Sequence, residues 1–144
     1  MKSVREMLLA KGSDVYSISP EATVFEALQL MSEKEVGALL VIDNGRIDGI
    51  ISERDYARGV ALKGKSSKDA PVKDIMSSRV IYVDPSNSAE ECMALMINKK
   101  IRHLPVLQDG KLAGIISIGD VVKAVIDEKE ILINELENYI TGRR

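Results

Sequence analysis

Two near-identical segments, 65 residues apart, constrain this 144-residue chain more than any other feature. Gly-Ile-Ile-Ser-Glu-Arg-Asp occupies positions 49–55, and Gly-Ile-Ile-Ser-Ile-Gly-Asp occupies positions 114–120. Each has the pattern of an apolar strand that ends in serine and leads into a helix, with aspartate three residues later. Around them, residues 20–60 align with residues 85–125 at the same spacing without a gap. The chain is therefore predicted to be a tandem repeat of one packing unit.

The secondary-structure pattern is the same in both halves. Strands and helices are predicted at 15–19, from 24 through at least 31, at 36–43, 46–52 and 53–62, and again at 80–84, 88–98, 101–107, 111–117 and from about 119. Asn-Gly and Asp-Gly pairs mark the hairpin turns. We therefore predict an α+β fold with two β-α-β-β-α repeats. Residues 1–64 form the first repeat, 65–71 a polar linker, and 72–144 the second repeat.

The last helix extends beyond its own repeat. Its apolar residues continue from Val121 to Ile140, whereas the first repeat stops at the linker. Because an apolar stripe of this length must pack on something, we expect the extended C-terminal helix to cap this chain's core or to meet a second copy.

Composition excludes several functional classes. The net charge is −2 and aromatic residues make up 3%, which argues against a nucleic-acid partner. One cysteine and one histidine exclude an internal disulfide and a metal site built from those residues. No apolar run approaches the roughly 20 residues that cross a bilayer. The first residues lack the apolar stretch of a secretory signal. We expect a cytoplasmic protein without a membrane partner.

The two Ser–Asp pairs allow two interpretations. In the first, Ser52 with Asp55 and Ser117 with Asp120 are capping boxes, in which serine and acid satisfy backbone N–H groups. In the second, they form a binding site, because a helix start favours a phosphate and a carboxylate can accept hydrogen bonds from ribose hydroxyls. The two roles can coexist.

Several features together resemble a tandem pair of cystathionine-β-synthase-type (CBS) domains. They are the repeat order, the proline after each first strand, the Ile-Arg-His-Leu-Pro-Val segment at 101–106, and the two Gly-Ile-Ile-Ser-x-x-Asp segments. The resemblance covers essentially the whole chain, and the chain is similar to the small stand-alone bacterial and organellar members. It implies that the repeats pack with pseudo-twofold symmetry and that two chains form a flat, disc-shaped homodimer.

The resemblance also implies a function. The chain is expected to be an energy- or redox-sensing module that binds an adenosine nucleotide in the cleft between repeats and signals by conformational or dimer rearrangement. AMP is the first expected ligand, then NAD and ATP or ADP, and last S-adenosylmethionine. An unidentified enzyme is an expected regulated partner. No catalytic cofactor and no enzyme activity are expected, since the sequence has no Ser-His-Asp set or Gly-x-Gly-x-x-Gly loop. The alternative is a ligand-independent interaction or scaffold protein.

Residue by residue, the family pattern assigns roles to both halves. It implies that Asp55 and Asp120 hold ribose hydroxyls and that Ser52 and Ser117 lie near phosphate. In the family, the first strand and the start of the second line the adenine pocket.

That pocket position corresponds to Ile18 and Ala38 in the first half and to Val83 in the second.

The two sites are not expected to be equivalent. Arg102 and His103 stand where the first half has Gly37 and Ala38, and in the family basic residues at this place reach phosphates. For His103 the alternative is a histidine satisfied between two strands. Arg54, whose counterpart is glycine, either neutralises phosphate or is an exposed helix residue.

Overall fold

The computed structural model describes residues 2–141. Its elements are α1 (Val4–Lys11), β1 (Ser17–Ile18), α2 (Val24–Lys34), β2 (Ala38–Asp43), β3 (Arg46–Ser52), α3 (Glu53–Tyr56) followed by a π-helical segment (Ala57–Ala61), α4 (Val72–Ile75), α5 (Ala89–Lys99), β4 (His103–Gln108), β5 (Lys111–Ser117) and α6 (Ile118–Thr141). Residue 1 of the predicted first repeat and residues 142–144 of the predicted second repeat lie outside the described residues.

The chain forms two compact units that do not follow the linear order of the repeats. One unit is Val15–Val80, and the other joins the segment that ends at Asp14 to the segment that begins at Ile81. Helix α1 therefore packs with the sheet of the second repeat, and α4 packs with the sheet of the first. Backbone hydrogen bonds fix α1 there, with Val4 N–H donating to the Asn87 carbonyl at 2.8 Å. The division into residues 1–64 and 72–144 concerns the sequence repeat and stays a prediction.

The unit from Val15 to Val80 is built on a three-stranded sheet in the order β1-β2-β3. β1 runs parallel to β2, and β2 runs antiparallel to β3. Asn44 and Gly45 join β2 to β3, both with positive φ (50° and 79°), as a tight hairpin turn requires. The core lies between α2 and one face of the sheet, where alternate strand residues such as Leu39, Val41 and Ile51 are fully buried.

The second unit has a two-stranded antiparallel sheet of β4 and β5. The strand predicted at 80–84 is reduced to one parallel bridge, between Val83 and Val106. Proline explains the difference. In the first unit, Leu40 N–H donates to the Tyr16 carbonyl at 3.2 Å. Pro105 holds the place of Leu40 and has no N–H, so the corresponding bond cannot form and the strand stops.

The extended C-terminal helix predicted from the sequence is confirmed as α6, which has 24 residues. Its first turns are anchored through Val121 and Ala124, which are buried in the core of the second unit. From Lys129 to Ile140 every side chain is exposed. Within residues 2–141, no helix combines the length and the apolar composition needed to cross a bilayer.

Candidate functional site

Each Ser–Asp pair lies where a strand runs into a helix, and each forms a capping box. At the end of β3, Asp55 Oδ2 accepts from Ser52 N at 2.8 Å and from Ser52 Oγ at 3.0 Å. Asp55 N donates in return to Ser52 Oγ at 3.3 Å. At the end of β5, Asp120 Oδ2 accepts from Ser117 N at 2.8 Å, and Asp120 N donates to Ser117 Oγ at 3.2 Å. The strand ends thus hold both carboxylates in fixed positions.

The capping contacts leave room for a second role. In both boxes the bonds from serine fall on one carboxylate oxygen, Oδ2. Asp55 and Asp120 are half-buried, so the other oxygen, Oδ1, lies outside the capping contacts on a side chain that solvent still reaches. A carboxylate in this state can accept hydrogen bonds from a ligand while it continues to cap its helix.

The strand register brings other predicted residues next to the serines. Ala38 is the partner of Ser52 across β2 and β3, and His103 is the partner of Ser117 across β4 and β5. Arg102 lies one residue earlier, where its carbonyl accepts from Ile118 N at 2.8 Å, and its side chain is exposed.

The remaining predicted residues lie on neighbouring segments of the same units. Ile18 lies on β1, in register with Val41 of β2, and Val83 bridges to Val106 of β4. Ile18 is half-buried and Val83 is buried. Arg54 is half-buried on the single turn of α3.

The structure also places a lysine in the second site that the sequence pattern around Ser117 and Asp120 does not predict. Lys11 Nζ donates to Asp120 Oδ2 at 2.6 Å and to the Ile115 carbonyl at 2.9 Å. Lys11 ends α1, and 109 sequence positions separate it from Asp120. One signal was available: Lys11 follows Val4 by seven residues, and Arg79 follows Val72 by the same interval. A basic residue thus recurs seven positions after the valine that begins the first helical segment of each repeat.

Lys11 helps to stabilise the charged form of Asp120. Burial raises the pKa of Asp120, but the hydrogen bonds from Lys11 and from Ser117 outweigh it, so the pKa lies below its ordinary value. The carboxylate is therefore ionised at neutral pH. The second site holds an ion pair of Lys11 with Asp120, and the exposed Arg102 adds a second cation whose charge acts on His103.

His103 is neutral in this setting. Burial, together with smaller contributions from the charges of Lys11 and Arg102, outweighs the opposing effect of Asp120 and lowers its pKa to about 4. At neutral pH the imidazole therefore offers one N–H donor and one ring-nitrogen acceptor, not a positive charge.

Other reactive groups offer little chemistry. Burial, with a smaller contribution from Glu91, raises the pKa of Cys92 to about 11, so its thiol is mostly protonated at neutral pH. Across the described range, 2–141, no three His, Cys, Asp or Glu side chains are grouped so that they could hold a metal ion.

Comparison with known sequences gives one family and several relatives. The CBS domain model matches twice, at residues 4–61 and 72–127. The mitochondrial CBS domain-containing protein CBSX3 of Arabidopsis thaliana is 42% identical over 83% of this chain, which spans 61% of that relative's length. The CBS domain-containing protein YhcV of Bacillus subtilis is 32% identical over 99% of this chain and 91% of its own.

Solved structures agree with the sequence relatives. A putative signal-transduction protein with CBS domains from Burkholderia ambifaria superposes with a TM-score of 0.85 at 50% identity, covering 88% of this chain and 95% of that one. The CBS domain pair of protein MJ0100, solved with 5′-methylthioadenosine and S-adenosyl-L-methionine, shares the fold at 20% identity and a TM-score of 0.76, covering 89% and 98%. With two matched domains that together span most of its length, this chain belongs to the CBS-domain family as a tandem pair.

Proposed function

We propose that this chain is a regulatory module, not an enzyme, and that it binds an adenosine nucleotide once in each compact unit. The observation that carries the proposal is the duplicated strand–helix junction, in which a half-buried carboxylate is fixed by its own cap with one oxygen outside the capping contacts. The arrangement suits a ligand that presents two adjacent hydroxyls and an anionic group, as a nucleotide does.

In this proposal each side chain has a separate role. Asp55 and Asp120 accept hydrogen bonds from ribose hydroxyls, and the serine that caps each helix lies toward the phosphate. Adenine packs against the apolar strand residues of its unit. These are Ile18 and Ala38 in the first and Val83 in the second.

The two sites differ in charge and therefore in preferred ligand. Lys11 and Arg102 give the second site two cations, whereas Arg54 is the predicted cation of the first site, where glycine takes the place of Arg102. A ligand with phosphate is favoured there, and we keep the expected order of AMP first, then NAD and ATP or ADP. S-adenosylmethionine comes last because its sulfonium would meet two cations. That MJ0100, a protein of the same fold, was solved with adenosine compounds supports this panel of ligands.

Binding would regulate by shifting a conformational equilibrium. A ligand favours one arrangement only to the extent that it binds that arrangement more tightly. We propose a homodimer as the responding assembly and a separate enzyme as the regulated partner.

Single substitutions test the two sites separately. Asp55→Ala and Asp120→Ala should each weaken one calorimetric binding event at least tenfold, since losing hydrogen bonds to a charged group costs about 1.5–3 kcal/mol. Glu91→Ala is the matched control, because Glu91 forms the same capping box with Ser88 at the start of α5 but belongs to no proposed site. Equal effects of all three substitutions would assign the carboxylates to capping alone.

One observation favours the alternative of a ligand-independent scaffold: both Ser–Asp pairs already have partners as caps. Mass spectrometry of the purified protein after denaturation distinguishes a nucleotide sensor from a scaffold. A nucleotide sensor should release an adenosine compound or take one up when it is supplied. A scaffold would do neither.

A further inference from the structure

The outer face of α6 carries a seven-residue apolar repeat. Starting at Val122, successive intervals of four, three, four, three and four residues lead to Ile126, Lys129, Ile133, Leu136 and Ile140. Isoleucine occupies one position of this repeat three times, and valine, lysine and leucine occupy the other. A repeat of this period keeps one stripe on the same side of a helix and is typical of a helix that pairs lengthwise with another helix.

This stripe is distinct from the face that packs into the chain's own core. Val121 and Ala124 are buried in the second unit, whereas Val122 and Ile126 on the adjacent face are exposed. Leu132, Leu136 and the other apolar residues farther along α6 are exposed as well. An apolar stripe of this length on the surface of a helix marks a contact surface.

The stripe is covered most completely by α6 of a second copy that runs in the opposite direction. In an antiparallel pair, each isoleucine of the stripe meets the valine, lysine or leucine that occupies the other repeat position in the second copy. Val122 then meets Ile140, Ile126 meets Leu136, and Lys129 meets Ile133. All three pairs have the same midpoint, position 131, so the whole stripe is covered without an overhang.

Charge favours the same direction. A parallel pair would place Lys129 against Lys129 inside the apolar seam, which is a repulsive contact. In the antiparallel pair the Lys129 stem packs on Ile133, and its ammonium can reach Glu130 of the other copy. At the flank, Lys123 faces Glu137 of the second copy, and symmetry gives this contact twice. The same register sets Glu130 against Glu130 of the second copy, where the two Lys129 ammonium groups offset the like charges.

We propose that α6 binds α6 of a second copy of this chain, antiparallel, through the stripe of Val122, Ile126, Lys129, Ile133, Leu136 and Ile140. This contact does not depend on the adenosine ligand. It shares with the proposed function only the homodimer, for which it supplies a surface and a direction.

Cysteine cross-linking between two variants of the full chain tests the direction. Ile126→Cys and Leu136→Cys are prepared separately, mixed in equal amounts and oxidised mildly at pH 8. The antiparallel contact should give a disulfide-linked heterodimer in the mixture, at least tenfold above the dimer from either variant alone. The native Cys92 is buried, and its thiol interferes little.

Two results would overturn the inference. Disulfide dimers from each variant by itself would show a parallel pair. An absence of cross-links would exclude the contact, whether the chain is then a monomer by light scattering or a dimer through another surface.

Two isoleucines provide a matched comparison. Ile133, 52% exposed, lies in the stripe, and Ile131, 56% exposed, lies outside it. Ile133→Lys should reduce the 126–136 cross-link at least tenfold, and Ile131→Lys should leave it unchanged; equal effects would contradict the stripe. AMP titration of Ile133→Lys, measured separately, reports on the proposed function, so failure of either proposal can be recognised independently.

Discussion

At the scale of single residues, the two proposed sites differ most in what holds the aspartate. Asp120 accepts from the ammonium of Lys11 as well as from its cap, while Ser52 supplies the cap donors of Asp55. Lys11 can share its donors between Asp120 and a ligand phosphate, since an ammonium has three. We therefore expect the lysine to make the second proposed site selective for phosphorylated ligands.

Lys11→Met tests this selectivity. Without the ammonium, AMP should bind the second site about tenfold more weakly, because a charge-assisted bond to phosphate is lost. Adenosine, which has no phosphate, should bind as before or more tightly. Calorimetric titration with both ligands measures the difference, and Lys65→Met in the exposed linker is the control. An equal loss for adenosine and AMP would show that Lys11 only supports the fold.

His103 should make stability depend on pH. Because burial lowers its pKa to about 4 in the folded chain, the unfolded chain takes up this proton first as pH falls below about 6.5. Folding stability should therefore decrease between pH 6.5 and 4.5, by on the order of 2 kcal/mol. Asp120, whose pKa is lowered, acts in the same direction but at lower pH.

Denaturant unfolding of His103→Gln against the parent chain checks this effect. The variant should lose less stability across that interval, since glutamine does not titrate. Parallel pH profiles for the two proteins would contradict a neutral, buried imidazole.

At the scale of elements, Gly49 and Gly114 hold equivalent places in β3 and β5 but meet different neighbours. A Cβ at Gly49 would lie 2.5 Å from the Ser77 carbonyl oxygen, which is backbone bonded to Ile50. A Cβ at Gly114 would lie 2.7 Å from a methyl of Leu8, which is a flexible side chain. The Ser77 backbone cannot move without breaking its β-bridge to Ile50, whereas the Leu8 side chain can move aside.

The two alanine substitutions should therefore differ. Gly49→Ala should destabilise the fold by about 2–3 kcal/mol, and Gly114→Ala by about 1 kcal/mol or less. Thermal or denaturant unfolding of both variants gives the comparison. A larger loss at Gly114 would mean that Leu8 is held more rigidly than the Ser77 backbone.

Local pattern predicted most elements because their signals are short in range. The Asn44-Gly45 turn and the serine caps each depend on residues within one turn or hairpin, so the sequence specifies them directly. The strand predicted at 80–84 is longer than the single bridge in the structure, because its length depends on a hydrogen bond from position 105, where proline has no N–H. The residue that limits this strand lies on the neighbouring strand β4, not in the segment 80–84 itself.

At the scale of the whole molecule, long-range packing explains why the sequence does not predict Lys11 as a site residue. Lys11 reaches Asp120 only because α1 packs with the second repeat's sheet, and a linear repeat does not reveal this exchange. The Ser–Asp junctions could be predicted since both residues lie in one segment. The ion pair at Lys11 could not, because it depends on long-range packing.

The proposed function requires the chain to bind adenosine nucleotides through Asp55 and Asp120. The most direct measurement is a calorimetric titration of nucleotide-free protein with AMP, in parallel with the Asp55→Ala/Asp120→Ala double variant. Binding to the parent chain should be saturable, and it should be lost from a double variant that remains folded. Unchanged AMP affinity in the double variant would contradict it.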